Sequence, residues 1–169
     1  LTDIGNQVTD EDTDFTIDIS ASDVDIDENG QILFYSATSS DESLVLVSTA
    51  TAGEGTSGTL TFDVLDEQNG AAEITLTVTD SEGGSDSETF TLTVNAVNDA
   101  PILTDIGDQV TDEDTDFTID LSASDVDIDE NNQTLTYSAT SSDESLVLVS
   151  TTTAGEGTTG TLTFDVLDE

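Results

Sequence analysis

The sequence predicts an all-β protein made of tandem antiparallel β-sandwiches. Residues 103–169 repeat residues 1–67 at an offset of 102 with only seven differences, and hydrophobic residues alternate with polar ones in both copies. A period of about 100 residues is too long for the 20–50-residue unit of a solenoid, so each copy is expected to be a domain. The predicted domains are residues 1–101 and residues 102–169.

Seven strands are predicted in the first copy. Four of them show a clear period of two, in which hydrophobic residues are separated mostly by Thr, Asp or Glu, as in a strand with one buried and one wet face. These four are centred on Ile17, Phe62, Leu76 and Leu92. The other three are expected near residues 4–9, 31–38 and 44–50. Seven strands with short polar turns are typical of an immunoglobulin-like sandwich.

The second copy stops before the equivalent of residues 68–102 and so lacks the last two predicted strands. A sandwich without these strands would expose its core and two sheet edges. Either the chain continues beyond Glu169, which the sequence favours, or a neighbouring chain donates the missing strands, which would make a self-assembling fibre.

The strand near residues 31–38 indicates which face is buried. Ile32 and Phe34 become Thr in the second copy, whereas Leu33 and Tyr35 recur. We therefore predict that Leu33 and Tyr35 lie in the core and that Ile32 and Phe34 are exposed. Single exposed hydrophobic residues are common on protein surfaces, and the alternative is a lateral contact made by the first repeat alone.

The charge of the chain restricts its partners. There are 39 acidic residues and no Lys, Arg or His, which disfavours binding to nucleic acid or anionic membranes.

The chain has no Cys for disulfides, no apolar run long enough to span a bilayer, and no initiating Met or signal peptide. It is expected to be an internal segment or a mature fragment. Metal cations are the partners that this charge favours.

Chain direction groups the acidic loops at the two ends of each sandwich, because antiparallel strands alternate in direction. In a linear array, the lower end of the first repeat would meet the upper end of the second. This junction would bring together Glu11, Asp66, Glu67, Asp99, Asp125, Asp127, Asp129 and Asn131. Crowded carboxylates raise one another's pKa values, and Ca²⁺, which takes six to eight oxygen ligands, relieves the repulsion. Without His or Cys, zinc and copper sites of the usual kinds are disfavoured.

Several motifs resemble those of cadherins and occur in the same order. Residues 21–36 resemble the cadherin segment in which an Asp-x-Asp loop and a later Asn hold interdomain calcium. Residues 65–67 are similar to the Leu-Asp-Arg-Glu loop, and residues 78–84 to the Ala-x-Asp-x-Gly segment. The ending at residues 94–101 resembles the cadherin linker, and more closely the Val-Asn-Asp-Ala-Pro junctions of cadherin-like repeats in large bacterial adhesins.

This resemblance implies three sets of calcium ligands. The interdomain set is Glu11, Asp66, Glu67, Asn98, Asp99, Asp125, Asp127 and Asn131. An upper half-site in the first repeat would use Asp23, Asp25 and Asp80. A lower half-site in the second repeat would use Glu113, Asp168 and Glu169. The linker is one residue shorter than in animal cadherins, and the Arg of the Leu-Asp-Arg-Glu loop is absent, so the resemblance leaves the number of ions open.

Other interpretations of the acidic residues remain to be weighed. The Asp23, Asp25, Asp27 spacing begins like an EF-hand, but Glu28 and Phe34 replace the required Gly and Glu. The acidic loops could instead be passively solvated, or the repeat could bind carbohydrate. Catalysis is not expected, since the chain lacks His, Lys, Arg, Cys and Trp and carries near-identical copies.

The sequence therefore predicts a calcium-binding structural repeat that forms an extracellular or cell-surface rod. Such a rod could be the stalk of an adhesin or the shaft of a filament. Its partners would be adjacent copies of the repeat and, in a filament, identical chains, with no nucleic acid and no membrane insertion. The alternative is a carbohydrate-binding or passively solvated acidic spacer that does not depend on calcium.

Overall fold

The computed structural model describes residues 1–26, 30–53, 55–128, 133–155 and 157–168. The chain divides into two compact units, Leu1–Val97 (unit 1) and Asn98–Glu169 (unit 2). Both are built from β-strands. The prediction of an all-β fold is confirmed.

The described residues of unit 1 form seven strands in two sheets. The strands are β1 (Gln7–Asp10), β2 (Phe15–Ser20), β3 (Leu33–Ser39), β4 (Val45–Ala52), β5 (Ser57–Val64), β6 (Gly70–Asp80) and β7 (Ser85–Asn95). One sheet has the order β1-β7-β6-β3, and the other has the order β2-β5-β4. All neighbouring strands are antiparallel except β1 and β7, which run parallel.

The core of unit 1 lies between its two sheets, where the alternating hydrophobic residues of both face each other. Three rings mark its centre. Phe62 is fully buried, stacks on Phe15 with ring centroids 4.3 Å apart, and meets the edge of Phe90 at 6.3 Å. Phe15 and Phe62 are direct cross-strand partners, whereas Phe90 comes from the opposite sheet. The ring cluster therefore joins the two sheets.

The buried face of β3 agrees with the comparison of the two copies. Leu33 and Tyr35 are buried, whereas Ile32 is 42% and Phe34 is 54% exposed. The predicted assignment of core and surface residues is confirmed here. Ile32 and Phe34 lie at or next to β3, which is an edge strand of its sheet.

Unit 2 was predicted to keep the first five strands of the repeat and to lack the last two, and the structure differs from this prediction. It contains β8 (Ile102–Leu103), β9 (Phe117–Ser124), β10 (Val147–Ala154) and β11 (Thr159–Val166) in one sheet of order β10-β11-β9-β8. The segments equivalent to β1 and β3, residues 109–112 and 135–141, form no strand. In unit 1 these two strands pair with β7 and β6, whose equivalents are not among the described residues of unit 2.

Candidate cation sites

Glu11 is the most deeply buried carboxylate at the lower end of unit 1, with only 3% of its surface exposed. It follows β1 directly, and its own N–H donates to the Asn95 carbonyl at the end of β7. Its Oε1 accepts the Val97 N–H at 2.5 Å, and its Oε2 lies 3.5 Å from the Asn69 side-chain nitrogen. Glu11 thus fastens the last residue of unit 1 to the strand that begins the unit.

Asp12 and Glu67 lie close together at the same end. The Glu67 N–H donates to Asp12 Oδ1 at 2.9 Å, and both residues adopt a left-handed backbone with φ of 58°. Two tight turns are thereby joined, one after β1 and one after β5. Asp66 is exposed beside them in sequence. The lower end of unit 1 therefore presents several carboxylates on defined turns.

Asp99, Asp125 and Asp127 form a connected set within unit 2. Asp127 is 2% exposed, and its Oδ2 accepts the Asp99 N–H at 2.7 Å. The Asp127 N–H in turn donates to Asp125 Oδ1 at 3.0 Å. The second oxygen of Asp125, Oδ2, is buried and has no hydrogen-bond partner. A buried carboxylate oxygen without a donor is costly, so this set is suited to a cation.

Asn98 is held by side-chain hydrogen bonds in unit 2. Its Oδ1 accepts from Gln133 Nε2 at 2.7 Å, and its Nδ2 donates to the Asp99 carbonyl at 2.5 Å. The lone pair of Asn98 Oδ1 that faces Gln133 is therefore occupied by this hydrogen bond. Sequence reasoning missed Gln133, although it lies in the repeated segment that also contains the Asp-x-Asp loop.

The upper end of unit 1 also collects carboxylates. Asp23, Asp80 and Asp86 line one open cavity of about 220 Å³. Asp23 Oδ1 accepts the Asp25 N–H at 2.9 Å, which repeats the Asp125–Asp127 turn of unit 2. Asp80 Oδ1 accepts the N–H groups of Glu82 and Gly84, both at 2.8 Å. The Asp23 and Asp80 side chains are thus fixed by their own loops.

Asp86 was not predicted as a site residue. Its Oδ2 accepts a hydrogen bond of 3.0 Å from the α-amino group of Leu1. The signal in the sequence was weak, because Asp86 belongs to an acidic stretch without a recognisable motif.

The lower half-site predicted in the second repeat is not assembled in the same way. Glu113 is exposed, in contrast to its equivalent Glu11, and Asp168 is exposed as well. In unit 1 the carboxylate of Glu11 is covered by residues after β5, namely Asn69 and Val97. Asp129, Asn131 and Glu169, together with Asp27 and Glu28 of the EF-hand comparison, lie outside the described residues.

The donor set at these ends consists of carboxylate, amide and backbone oxygens. Hard cations such as Ca²⁺ prefer these ligands, whereas zinc and copper sites usually need His or Cys, and the chain has neither. The residues present therefore fit a hard divalent cation. These carboxylates and amides have the chemistry to bind a cation and to hold the backbone of their loops.

The two-sheet arrangement of unit 1, with its parallel β1–β7 pair, defines an immunoglobulin-like β-sandwich. The family model described as "Bacterial Ig domain" matches residues 2–93, which is more than half of the chain. The chain belongs to this family. No curated protein matches it.

Solved structures are similar at low sequence identity. Surface layer protein SbsC, domains 1–6, has a TM-score of 0.41 and 15% identity over 96% of this chain. The ectodomain of human desmocollin-1 has a TM-score of 0.41 and 19% identity over 93% of this chain. An endo-fucoidan hydrolase of glycoside hydrolase family 107 has a TM-score of 0.38 and 15% identity over 94% of this chain. The chain spans 20%, 29% and 22% of these structures, respectively.

Among the described residues, no helix has the length and hydrophobicity needed to cross a membrane.

Proposed function

We propose that this chain is a structural repeat of an extracellular or cell-surface protein, and that Ca²⁺ bound by carboxylates near residues 97–99 stiffens the array of repeats. The bacterial immunoglobulin-like family supports a structural role. The observation that carries the calcium proposal is the burial of Glu11 and Asp127 in a chain that has no Lys, Arg or His. Burial removes hydration from a carboxylate, and a bound cation would offset that loss.

The covalent chain supports a common role for these two carboxylates. Glu11 binds the N–H of Val97, and Asp127 binds the N–H of Asp99. Consecutive Cα atoms are about 3.8 Å apart, so the Cα atoms of Val97 and Asp99 are separated by about 7 Å at most. Each carboxylate is thereby tied to the same short piece of backbone.

The proposed mechanism is electrostatic. Without cations, carboxylates such as Glu11, Glu67, Asp99 and Asp127 repel one another, and the chain around residue 98 can rotate. Ca²⁺ replaces this repulsion with shared coordination and limits the rotation. A rod that stiffens in calcium would suit the stalk of an adhesin or the shaft of a filament.

The test is a titration of the 169-residue chain with Ca²⁺ against a chelator, followed by thermal unfolding and small-angle X-ray scattering. Calcium sites of extracellular modules have dissociation constants of about 10⁻⁴–10⁻³ M. At a calcium concentration about ten times the dissociation constant, linkage stabilises the folded state by about 1.4 kcal/mol. For a domain of this size, that corresponds to a rise in melting temperature of roughly 6–11 °C. The scattering should shift to a more extended and more rigid particle.

The repeat itself supplies matched controls for the ligands. Glu11→Gln and Asp127→Asn each keep one side-chain acceptor oxygen and replace the other with an NH₂ group, which removes the charge, and each should weaken calcium binding about tenfold or more, or roughly 1.4 kcal/mol. Asp14→Asn and Asp116→Asn remove a charge from equivalent carboxylates that hold the end of a strand in each repeat, and they should leave the calcium response nearly unchanged. Equal melting and scattering with Ca²⁺ and with chelator would refute the calcium proposal and leave a passively solvated acidic spacer.

A further inference from the structure

The backbone of Asp99 is held by hydrogen bonds at the peptide groups on both of its sides. Its N–H donates to Asp127 Oδ2 at 2.7 Å, and its carbonyl accepts from Asn98 Nδ2 at 2.5 Å. The Asn98 side chain is held in turn by Gln133, whose Nε2 lies 2.7 Å from Asn98 Oδ1. All of these residues belong to unit 2. The start of unit 2 is therefore fastened to the segment that follows the Asp-x-Asp loop.

The orientation of the two side-chain amides follows from the one group that cannot exchange its role. A backbone carbonyl only accepts hydrogen bonds, so the Asp99 carbonyl must face the NH₂ group of Asn98. Asn98 Oδ1 then faces Gln133, and this acceptor requires the NH₂ group of Gln133. Gln133 is therefore needed as a donor. A side chain of the same shape without a donor could not replace it.

These hydrogen bonds connect Gln133 to the acidic set without using a cation. The Asp127 N–H also donates to Asp125 Oδ1 at 3.0 Å. The connection therefore runs from Gln133 through Asn98 and Asp99 to both carboxylates of the Asp-x-Asp loop. Its two links nearest Gln133 join neutral groups, amide to amide and amide to carbonyl. Neither of these links depends on neutralising a charge.

We infer that Gln133 is a positioning residue of the proposed calcium site, and that through Asn98 it holds Asp99 in place in the calcium-free protein. The inference rests on the proposed function for the identity of the ion. Groups that are already ordered lose less conformational freedom on binding, so their affinity is higher. The set positioned in this way includes the buried Asp125 Oδ2, which has no hydrogen-bond partner. Asn98, which the cadherin resemblance made a ligand, acts here by fixing the backbone.

The first measurement is the amide hydrogen exchange of Asp99 in the 169-residue chain with excess chelator. Gln133→Ala removes the donor, and the loss of one hydrogen bond should make Asp99 exchange about threefold to tenfold faster. Gln133→Glu keeps the shape without the donor and should have the same effect. Thr134→Ala, at the exposed neighbouring position, is the matched control and should leave this exchange unchanged. Unchanged exchange in either Gln133 variant would overturn the inference.

The fold of unit 2 is checked in the same experiment. Gln133 is partly exposed and lies outside the strands, so its variants should keep the hydrogen-exchange protection of β9, β10 and β11. Faster exchange confined to residues near Asp99 supports the positioning role. Faster exchange spread evenly over the three strands would mean that Gln133 stabilises unit 2 as a whole, and the inference would fail.

A double-mutant cycle tests whether Gln133 acts through Asn98. Asn98→Ala removes both the acceptor for Gln133 and the donor to the Asp99 carbonyl. If the two side chains act as one unit, Gln133→Ala should change the exchange rate of Asp99 by less than about twofold in the Asn98→Ala background. Fully additive effects would show that the two residues act separately, which contradicts the inference.

Calcium titration separates this inference from the proposed function. In a chain that binds calcium, Gln133→Ala should raise the dissociation constant about threefold or more, because the apparent constant rises as the positioned fraction falls. Thr134→Ala should not change it. An unchanged constant in Gln133→Ala would overturn the positioning role, as would tighter binding by Gln133→Glu with unchanged Asp99 exchange, which would make Gln133 a direct ligand. A chain that binds no calcium but shows the exchange differences would refute the proposed function and still support the positioning of Asp99 by Gln133.

Discussion

Truncation of Phe62 and of its equivalent Phe164 should have clearly different effects on stability. Phe62 is fully buried, stacks on Phe15 and meets Phe90 edge-on. Phe164 keeps only the stack, with Phe117 at 4.4 Å, and is partly exposed. The same substitution in almost the same sequence therefore removes different amounts of packing.

The structure gives the expected size of this difference. Replacing a buried Phe by Ala costs about 3–5 kcal/mol of unfolding free energy, and we expect Phe62→Ala to fall in this range. For Phe164→Ala, the edge-on ring contact is missing, worth about 0.5–1.5 kcal/mol. Because Phe164 is partly exposed, its hydrophobic burial contributes roughly a further 1 kcal/mol less than that of Phe62. Phe164→Ala should therefore cost about 2 kcal/mol less than Phe62→Ala.

The assay is native-state hydrogen exchange in denaturant, read on the amides of β5 for unit 1 and of β11 for unit 2. It reports the two units separately, which a single melting curve does not. If Phe62→Ala and Phe164→Ala lower the unfolding free energy by amounts that agree within about 0.5 kcal/mol, the reasoning is refuted. Such agreement would mean that Phe164 is as well packed as Phe62.

Three other substitutions test particular contacts. Gly58→Ala should destabilise unit 1 by about 1–3 kcal/mol in denaturant unfolding, since its Cβ would lie 2.4 Å from a backbone carbonyl of β4; Ser57→Ala at the exposed neighbouring position is the control. Ser43→Ala should raise the pKa of Asp41, which is lowered first by the hydrogen bond from the Ser43 hydroxyl, and carboxyl NMR titration measures it. The stabilisation from Asp41 is present above its ordinary pKa and is lost as pH falls through the lower folded value. Phe34→Thr, the change found in the second copy, should alter unfolding free energy by no more than about 0.5 kcal/mol, because Phe34 is exposed.

The strands of unit 1 could be predicted because each has its pairing partner within the repeat. Leu33 and Tyr35 were assigned to the core from two copies of one strand, and the structure buries both. Residues 135–141 carry the same alternation and yet form no strand. Periodicity shows which face a strand would bury, but it does not supply the neighbour that makes a strand stable. Local sequence alone could not predict this difference.

The candidate sites were predictable at the level of loops but not of atoms. Strand direction correctly grouped Glu11 with Glu67 at one end of unit 1, where the turns that carry them are joined through Asp12. The burial of Glu11 was not predictable, since it depends on Asn69 and Val97, which are 58 and 86 residues away in the chain. Long-range contacts of this kind leave no pattern near the residue itself.

The acidic composition alone does not identify cation sites in this chain, because many carboxylates are used to hold the backbone. Asp14 accepts the N–H of Val64 at 2.8 Å, and Asp116 accepts the N–H of Val166 at 2.9 Å, so both repeats use the same side chain to hold the end of a strand. An amide at these positions would still accept the hydrogen bond. Removing one charge at Asp14 should therefore change strand stability little and leave the calcium response unchanged. The same isosteric change at the buried Glu11 should reduce that response, and this contrast separates ligands from structural carboxylates.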